Sequence, residues 1–307
     1  MDETLAQALQ SLEIRGPVSH GLLHMFPLQG DTHAEQDISL LEGALQAGTL
    51  HIEEQHEAGR GPELRVVNEG SQRVLILEGD KLMGAKHNRV VNSSVLVAAG
   101  SDLTLPLSCI ECGRWSYRSR AFSPGTGSPH VALRRLKTRS VHDYSLRRGR
   151  VHRSDQVAVW REVHRKARLL AVASPTHALQ YSRSRLYERL DAFEKLARNL
   201  PEGTSGVVVA IGERLVLLEV LAGPRTFARV FRKLLSGYAF ESVGLDRPYG
   251  TPDPQAVRIF IEAAAKAAHE EHQAVGSGRD VRFEDDGISG YALMGERGVL
   301  HAAAFAG

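Results

Sequence analysis

The segment from Glu78 to Trp115, EGDKLMGAKHNRVVNSSVLVAAGSDLTLPLSCIECGRW, gathers more groups able to do chemistry than any other part of the chain. Its first loop sets Gly79 and Gly84 beside Lys86, His87, Asn88 and Arg89. Glycines let backbone N–H groups come close to a ligand. Lysine and arginine add positive charge, and arginine can hold a phosphate through two parallel hydrogen bonds. The loop reads as an anion site with Gly84, Lys86, Asn88 and Arg89 as contacts. The competing reading is a wide hairpin connection whose cations are solvated. Asn92 follows on the same alternating face as Val90 and Leu96. Asparagine is depleted in strands and needs partners when buried, so Asn92 belongs either to a ligand site or to a structural network.

Three acids flank this loop. Glu78, Asp80 and Glu111 are candidates for a general base, or for carboxylates holding Mg²⁺ against a substrate phosphate. Glu111, Arg114 and Trp115 place a carboxylate, a guanidinium and an aromatic ring within five residues. That set suits a purine ring and a phosphate; it equally suits a salt bridge beside a core tryptophan. Cys109 and Cys112 form a C-x-x-C, but a structural zinc site needs about four ligands and no second cysteine pair exists. No zinc motif and no metal set is expected from them, and the thiols read as buried bystanders. Ser154 is expected to cap a helix in which Gln156 and Trp160 share a face, Gln156 either reading an amide or nucleobase edge of a ligand or bonding to the backbone of the first half. An open N-terminus there would also accept phosphate. His301, between Leu300 and alanines, reads as a satisfied core histidine. Neither a Walker nor a Rossmann glycine pattern occurs in the chain.

The elements that must position these groups are read from periodicity. Strands are expected at Leu50–Glu53, Leu64–Val67, Arg73–Leu77, Val90–Val97 and Leu103–Leu107, with a helix over Ile38–Ala47. Pro106 suggests an edge strand, since proline cannot donate to a ladder. The later sequence adds helices over 155–173, Tyr181–Leu200, Pro224–Leu235 and Asp253–His269. It also adds a hairpin at Gly206–Leu221 and closing strands at Val281–Glu284, Ile288–Met294 and Val299–Phe305. The expected class is α+β with antiparallel pairing, β-rich in the first half and mixed helices and hairpins in the second. A single domain over 1–307 is expected, with 123–150 as the alternative sub-boundary.

At 307 residues, with 42% hydrophobic and 24% charged residues and two cysteines, the composition suits a soluble protein of a reducing compartment and argues against a disulfide scaffold. No apolar run reaches the roughly 20 residues of a membrane span. A cytoplasmic protein with no membrane partner is the expectation. The net charge of +2 conceals a segregation. Gly113–Arg168 carries fifteen Lys or Arg against Asp143, Asp155 and Glu162, a local +12, and the remainder carries −10. Such a field draws anions to one surface, or else belongs to a solvated basic face.

The run EGDKLMGAKHNRVVNSSVLVAAGS with LPLSCIECGRW resembles the ADP-ribosylglycohydrolase- and rhodanese-phosphatase-superfamily-associated protein domain family. SDQVAVW, GVVVAIG, FRKLLSGYA and GYALMGERGVLHAAAF carry the same resemblance, from about residue 35 to the C-terminus. Cys112 and His87 depart from the family pattern. The resemblance implies a link to NAD or ADP-ribose metabolism. The expected function is therefore binding of a phosphorylated nucleotide-type small molecule, as a hydrolase or transferase. The alternatives are an RNA- or DNA-binding protein using residues 113–168, and a non-enzymatic scaffold or regulator.

Overall fold

Apolar alternation and continuous apolar runs divide the strands of this chain into half-covered and fully covered ones. The computed structural model describes residues 4–30, 38–54, 63–84, 87–111, 122–146, 152–172, 193–245, 250–285 and 287–307. Along the chain the early elements are α1 (Leu5–Gln10), β1 (Glu13–Ile14), β2 (Val18–His20), β3 (Leu23–Gln29), β4 (Ile38–Leu40) and α2 (Leu41–Gln46). There follow β5 (Leu50–Glu54), β6 (Glu63–Asn68), β7 (Arg73–Ile76), β8 (Lys81–Gly84), β9 (Arg89–Val91), β10 (Val95–Val97), β11 (Ser101–Cys109) and β12 (Phe122–Pro124). Then come α3 (Val131–Ser140), a π-helical turn at Val141–Leu146, α4 (Gln156–Leu169) and α5 (Glu194–Ala197). The last part holds β13 (Thr204–Ile211), β14 (Arg214–Leu221), α6 (Pro224–Ser242), α7 (Pro254–Lys266) and β15 to β18 (His269–Gln273, Arg279–Asp285, Ile288–Gly295, Gly298–Ala306). The fold is α+β, richer in strands early and in helices and hairpins later.

The chain forms two compact units. The first comprises Met1–Gln36, Glu188–Gln273 and Gly278–Gly307; the second comprises Asp37–Tyr187 and Ala274–Ser277. The loop at 123–130 therefore lies inside the second unit. No helix among the described residues is long and apolar enough to cross a membrane.

In the first unit an antiparallel sheet runs β1-β3-β13-β14-β18-β17-β16-β15, with β2 also pairing β3. β13 and nearly all of β18 are buried, which is why GVVVAI and VLHAAAF read as unbroken apolar runs. Leu218 and Val220 of β14 join a core with Leu9 of α1 and with Val257 and Ile261 of α7. Glu219, between them, must point to the other face. That side receives α6, whose Phe227, Val230, Phe231 and Leu234 are buried.

In the second unit a six-stranded antiparallel sheet has the order β12-β8-β9-β11-β6-β5, and β10-β7-β4 form a smaller sheet. Leu64, Val66, Leu82 and Leu105 of the first sheet share one core with Val74, Ile76 and Val95 of the second, and with Leu41 of α2. Three expectations need correction here. The run Val90–Val97 is two strands, because Asn92, Ser93 and Ser94 turn the chain from β9 into β10. β11 is central, not an edge: it pairs β6 up to Pro106 and β9 from Leu107 onward, so the missing proline N–H falls at the handover. Ile38–Leu40 is a strand, and the helix starts only at Leu41.

Candidate functional site

The polar centre of the second unit begins with a turn. Asp80 N–H donates to the Leu77 carbonyl at 3.0 Å, and the Asp80 carboxylate accepts from Leu77 N–H at 2.9 Å. The third residue of this turn, Gly79, has φ +87°, a backbone angle that favours glycine. A Cβ there would also meet Ser128 Oγ at 3.3 Å and Arg134 Nε at 3.4 Å. The turn presents Glu78 inward to α3. Arg134 Nε donates to Glu78 at 2.7 Å and Lys137 Nζ at 2.6 Å, and Lys137 also donates to the Val91 carbonyl at 2.6 Å. All three side chains are buried. Burial opposes ionisation of Glu78, but the charges of Lys137 and Arg134 hold its pKa below the ordinary value.

Arg134 and Lys137, one turn apart, share a face of α3, and His130 is the residue just before the helix. His130 meets Glu162 of α4 at 2.7 Å, and Arg165 donates to the same carboxylate at 2.7 and 2.8 Å. Glu162 is mostly buried, which alone would raise its pKa. The hydrogen bonds and charges of Arg165 and His130 nevertheless bring it down to about 2. Two carboxylates thus fasten α3, one from the sheet and one from α4.

A second group forms around β9 and β11. Asn92 donates to the His152 carbonyl at 3.1 Å and accepts from Ser108 Oγ at 2.7 Å. The hydroxyls of Ser108 and Ser154 are hydrogen-bonded to each other. Gln156 uses both ends of its amide on β11, accepting from Cys109 N–H and donating to the Cys109 carbonyl, each at 2.8 Å. Arg89 lies opposite Cys109 in the ladder, and its Nη2 donates to both oxygens of Glu54 at 2.9 and 3.0 Å. Asn88 and Glu111 are buried close by, with Ile110 N–H donating to the Asn88 carbonyl at 3.0 Å. Burial pushes the Cys109 thiol up, which makes it a poor nucleophile at neutral pH.

The structure therefore brings Asn88, Arg89, Asn92, Glu111, Ser154 and Gln156 together, and joins Glu78 and Asp80 to them through Val91, whose N–H donates to the Asp80 carbonyl at 2.9 Å. Gly84 stands apart at the far end of β8, opposite Phe122. Lys86, Cys112, Arg114 and Trp115 lie outside the described residues. Ser154 does not cap α4: Asp155 does, accepting from Val157 and Ala158 N–H at 2.9 and 3.0 Å. A cleft of about 510 Å³ lies elsewhere in this unit, over Leu50, Ile52 and Phe122, and none of the polar centre's residues line it.

Sequence reasoning missed His130, Arg134, Lys137 and Glu162, although the i, i+4, i+7 spacing of the first three was visible. It also missed a polar row in the first unit. There Glu219 accepts from His301 Nε2 at 2.8 Å and from the Tyr238 hydroxyl. Tyr291 packs edge-on against His301 at 5.4 Å, and Arg282 sits 5.3 Å over the Tyr291 ring while held by Asp280 at 2.7 and 2.8 Å. His301 is a buried, hydrogen-bonded core histidine. Nothing in the local sequence joins Glu219 to a residue 82 positions away.

These features define an α+β protein whose second unit carries a buried, multiply charged centre between a sheet and two helices. The profile of the ARG and Rhodanese-Phosphatase-superfamily-associated Protein domain family matches residues 11–305, and the chain belongs to that family. No curated protein and no solved structure matches it.

Proposed function

We propose that the polar centre of the second unit binds a phosphorylated, nucleotide-type small molecule, in keeping with the ADP-ribose and phosphatase associations in the family's description. The observation that carries this reading is the gathering of cations in the interior. Lys81, Arg89, Arg134, Lys137 and Lys166 are each no more than 3% exposed, all within one unit. Buried charge costs several kcal/mol per ion after relaxation, so a fold has little reason to collect so many for stability alone. Phosphate is a ligand chemistry these guanidinium and ammonium groups would serve while Glu54 and Glu78 hold them in place.

In this reading Arg89, Asn88 and Asn92 contact the ligand, and Ser154 and Gln156 hold β11 in register beneath it. Glu78, kept ionised by two cations, is a weak proton acceptor and positions Arg134 and Lys137. That leaves Glu111 and Asp80 as the candidate bases or Mg²⁺ carboxylates of a hydrolase or transferase. The nucleic-acid reading ranks lower because Arg134, Lys137 and Lys166, part of the basic segment it relies on, are buried away from any duplex.

Calorimetric titration with ADP-ribose, NAD and inorganic phosphate tests the proposal. Two variants, Arg89→Ala and Glu54→Ala, break the same ion pair from opposite sides. Saturable binding that survives Glu54→Ala and is lost in Arg89→Ala supports ligand contact by Arg89. No binding of any of the three compounds by the unmodified protein removes the reading.

A further inference from the structure

The outer face of α4 carries side chains of which the polar centre uses only Arg165. Val157, Arg161, Arg165 and Arg168 fall at i, i+4, i+8 and i+11, which is one stripe of a helix, and Leu169 closes it. All five are exposed. The helix also carries an acid, Glu162, but it is turned inward toward His130. Among the described residues, Arg161 and Arg168 take part in no ion pair, whereas Arg165 is shared with Glu162.

The apolar ends decide what fits. Only three large hydrophobic residues among those described are exposed, and two of them, Val157 at 51% and Leu169 at 40%, bracket this arginine row. They stand about 18 Å apart along the helix, with Arg161 and Arg168 about 10 Å apart between them. A nucleic-acid backbone calls for cations and gains little from two aliphatic side chains at the ends of the row. A protein segment with central carboxylates and apolar residues on either side matches both features, since buried anchors supply affinity and arginines pair carboxylates in a fixed geometry.

We infer that the solvent face of α4 is a docking surface for an acidic amphipathic peptide segment of a partner protein, its carboxylates on Arg161, Arg165 and Arg168 and its apolar residues over Val157 and Leu169. Arg165 alone is shared with the charged centre, through Glu162, and Arg161, Arg168, Val157 and Leu169 are not, so either reading can fail without the other.

The test uses the full chain and three fluorescent probes: a designed acidic helix with glutamates at i, i+4 and i+7 flanked by leucines, the same peptide with lysines replacing the glutamates, and a 20-nucleotide RNA. Anisotropy is read at low and at elevated salt for the parent, Arg161→Glu/Arg168→Glu and Val157→Ser/Leu169→Ser. All four positions are exposed, and unchanged melting curves verify that the variants fold. The surface predicts saturable binding of the acidic peptide and none of the basic one, with a loss of tenfold or more on charge reversal and a several-fold loss on removing the apolar ends. Three results overturn it: no binding of the acidic peptide at low salt, affinity that charge reversal leaves unchanged, or preferred binding of the RNA with no effect of Val157→Ser/Leu169→Ser.

Discussion

Helices α3 and α6 are both docked on sheets, yet by opposite means. α6 buries Phe227, Val230, Phe231 and Leu234 against the first unit's sheet, and its Tyr238 hydroxyl bonds to Glu219. α3 buries Val131 and Leu133, but its inward face is dominated by His130, Arg134 and Lys137, each committed to a carboxylate. Apolar docking is non-directional and tolerant of repacking. Docking through buried ion pairs is stable only while every partner is present, because a single deletion leaves the other charges in a poor solvent. A helix held in this way is poorly suited to bulk stability and well suited to setting charges in fixed positions.

The largest effect is expected at the carboxylate that Arg134 and Lys137 share. Glu78→Ala removes it and is expected to destabilise the protein by about 3–5 kcal/mol in denaturant unfolding. A loss under about 1 kcal/mol would mean that water or rearrangement rescues both cations. On the α6 side, Leu234→Ala is expected to cost about 3 kcal/mol through lost burial and a cavity. Removing Arg134 and Lys137 along with Glu78, by apolar replacements of similar length, should recover much of the first loss. No partner change of that kind exists for Leu234, and this asymmetry sharpens the distinction.

Acid should also act on the α3 side. Glu162 has an ordinary value of 4.5 and is held at about 2 in the folded protein, so its contribution is fully present above pH 4.5 and is lost as pH falls toward 2. Because Arg165 is about half exposed, solvent screening reduces the worth of this shift to on the order of 1–2 kcal/mol. Unfolding curves between pH 6 and 2.5 should show that loss, and Glu162→Gln should flatten much of the slope. The smallest effect is at the capping residue of α4: Asp155→Ala should cost about 1 kcal/mol, since it frees the N–H groups of Val157 and Ala158.

These contrasts also explain what could be read beforehand. The β13–β14 hairpin was legible because VVVAI and LVLLEVL surround Gly212 and Glu213 with strand-forming residues. α3 escaped notice because a face of histidine, arginine and lysine looks like a solvated one, and its burial depends on acids 32 to 59 positions away. Asn92 was expected inside a strand and instead sits in the turn between β9 and β10, and the partners of both Asn92 and Gln156 lie far off in sequence. Gln156 is explained by the backbone of Cys109, and Asp155 took the capping role assigned to Ser154 because its carboxylate reaches both N–H groups. Pro106 misled because a proline inside a central strand is tolerated only where pairing changes sides, and that register is a property of three strands together.

Hydrogen–deuterium exchange of the full chain, with and without ADP-ribose, tests the central claim that the charged centre of the second unit is there to hold a phosphorylated ligand. A ligand held there slows exchange in β9, β11 and α3 and leaves β13, β14 and α6 unchanged. Exchange unaltered throughout, or protection confined to the first unit, would contradict it.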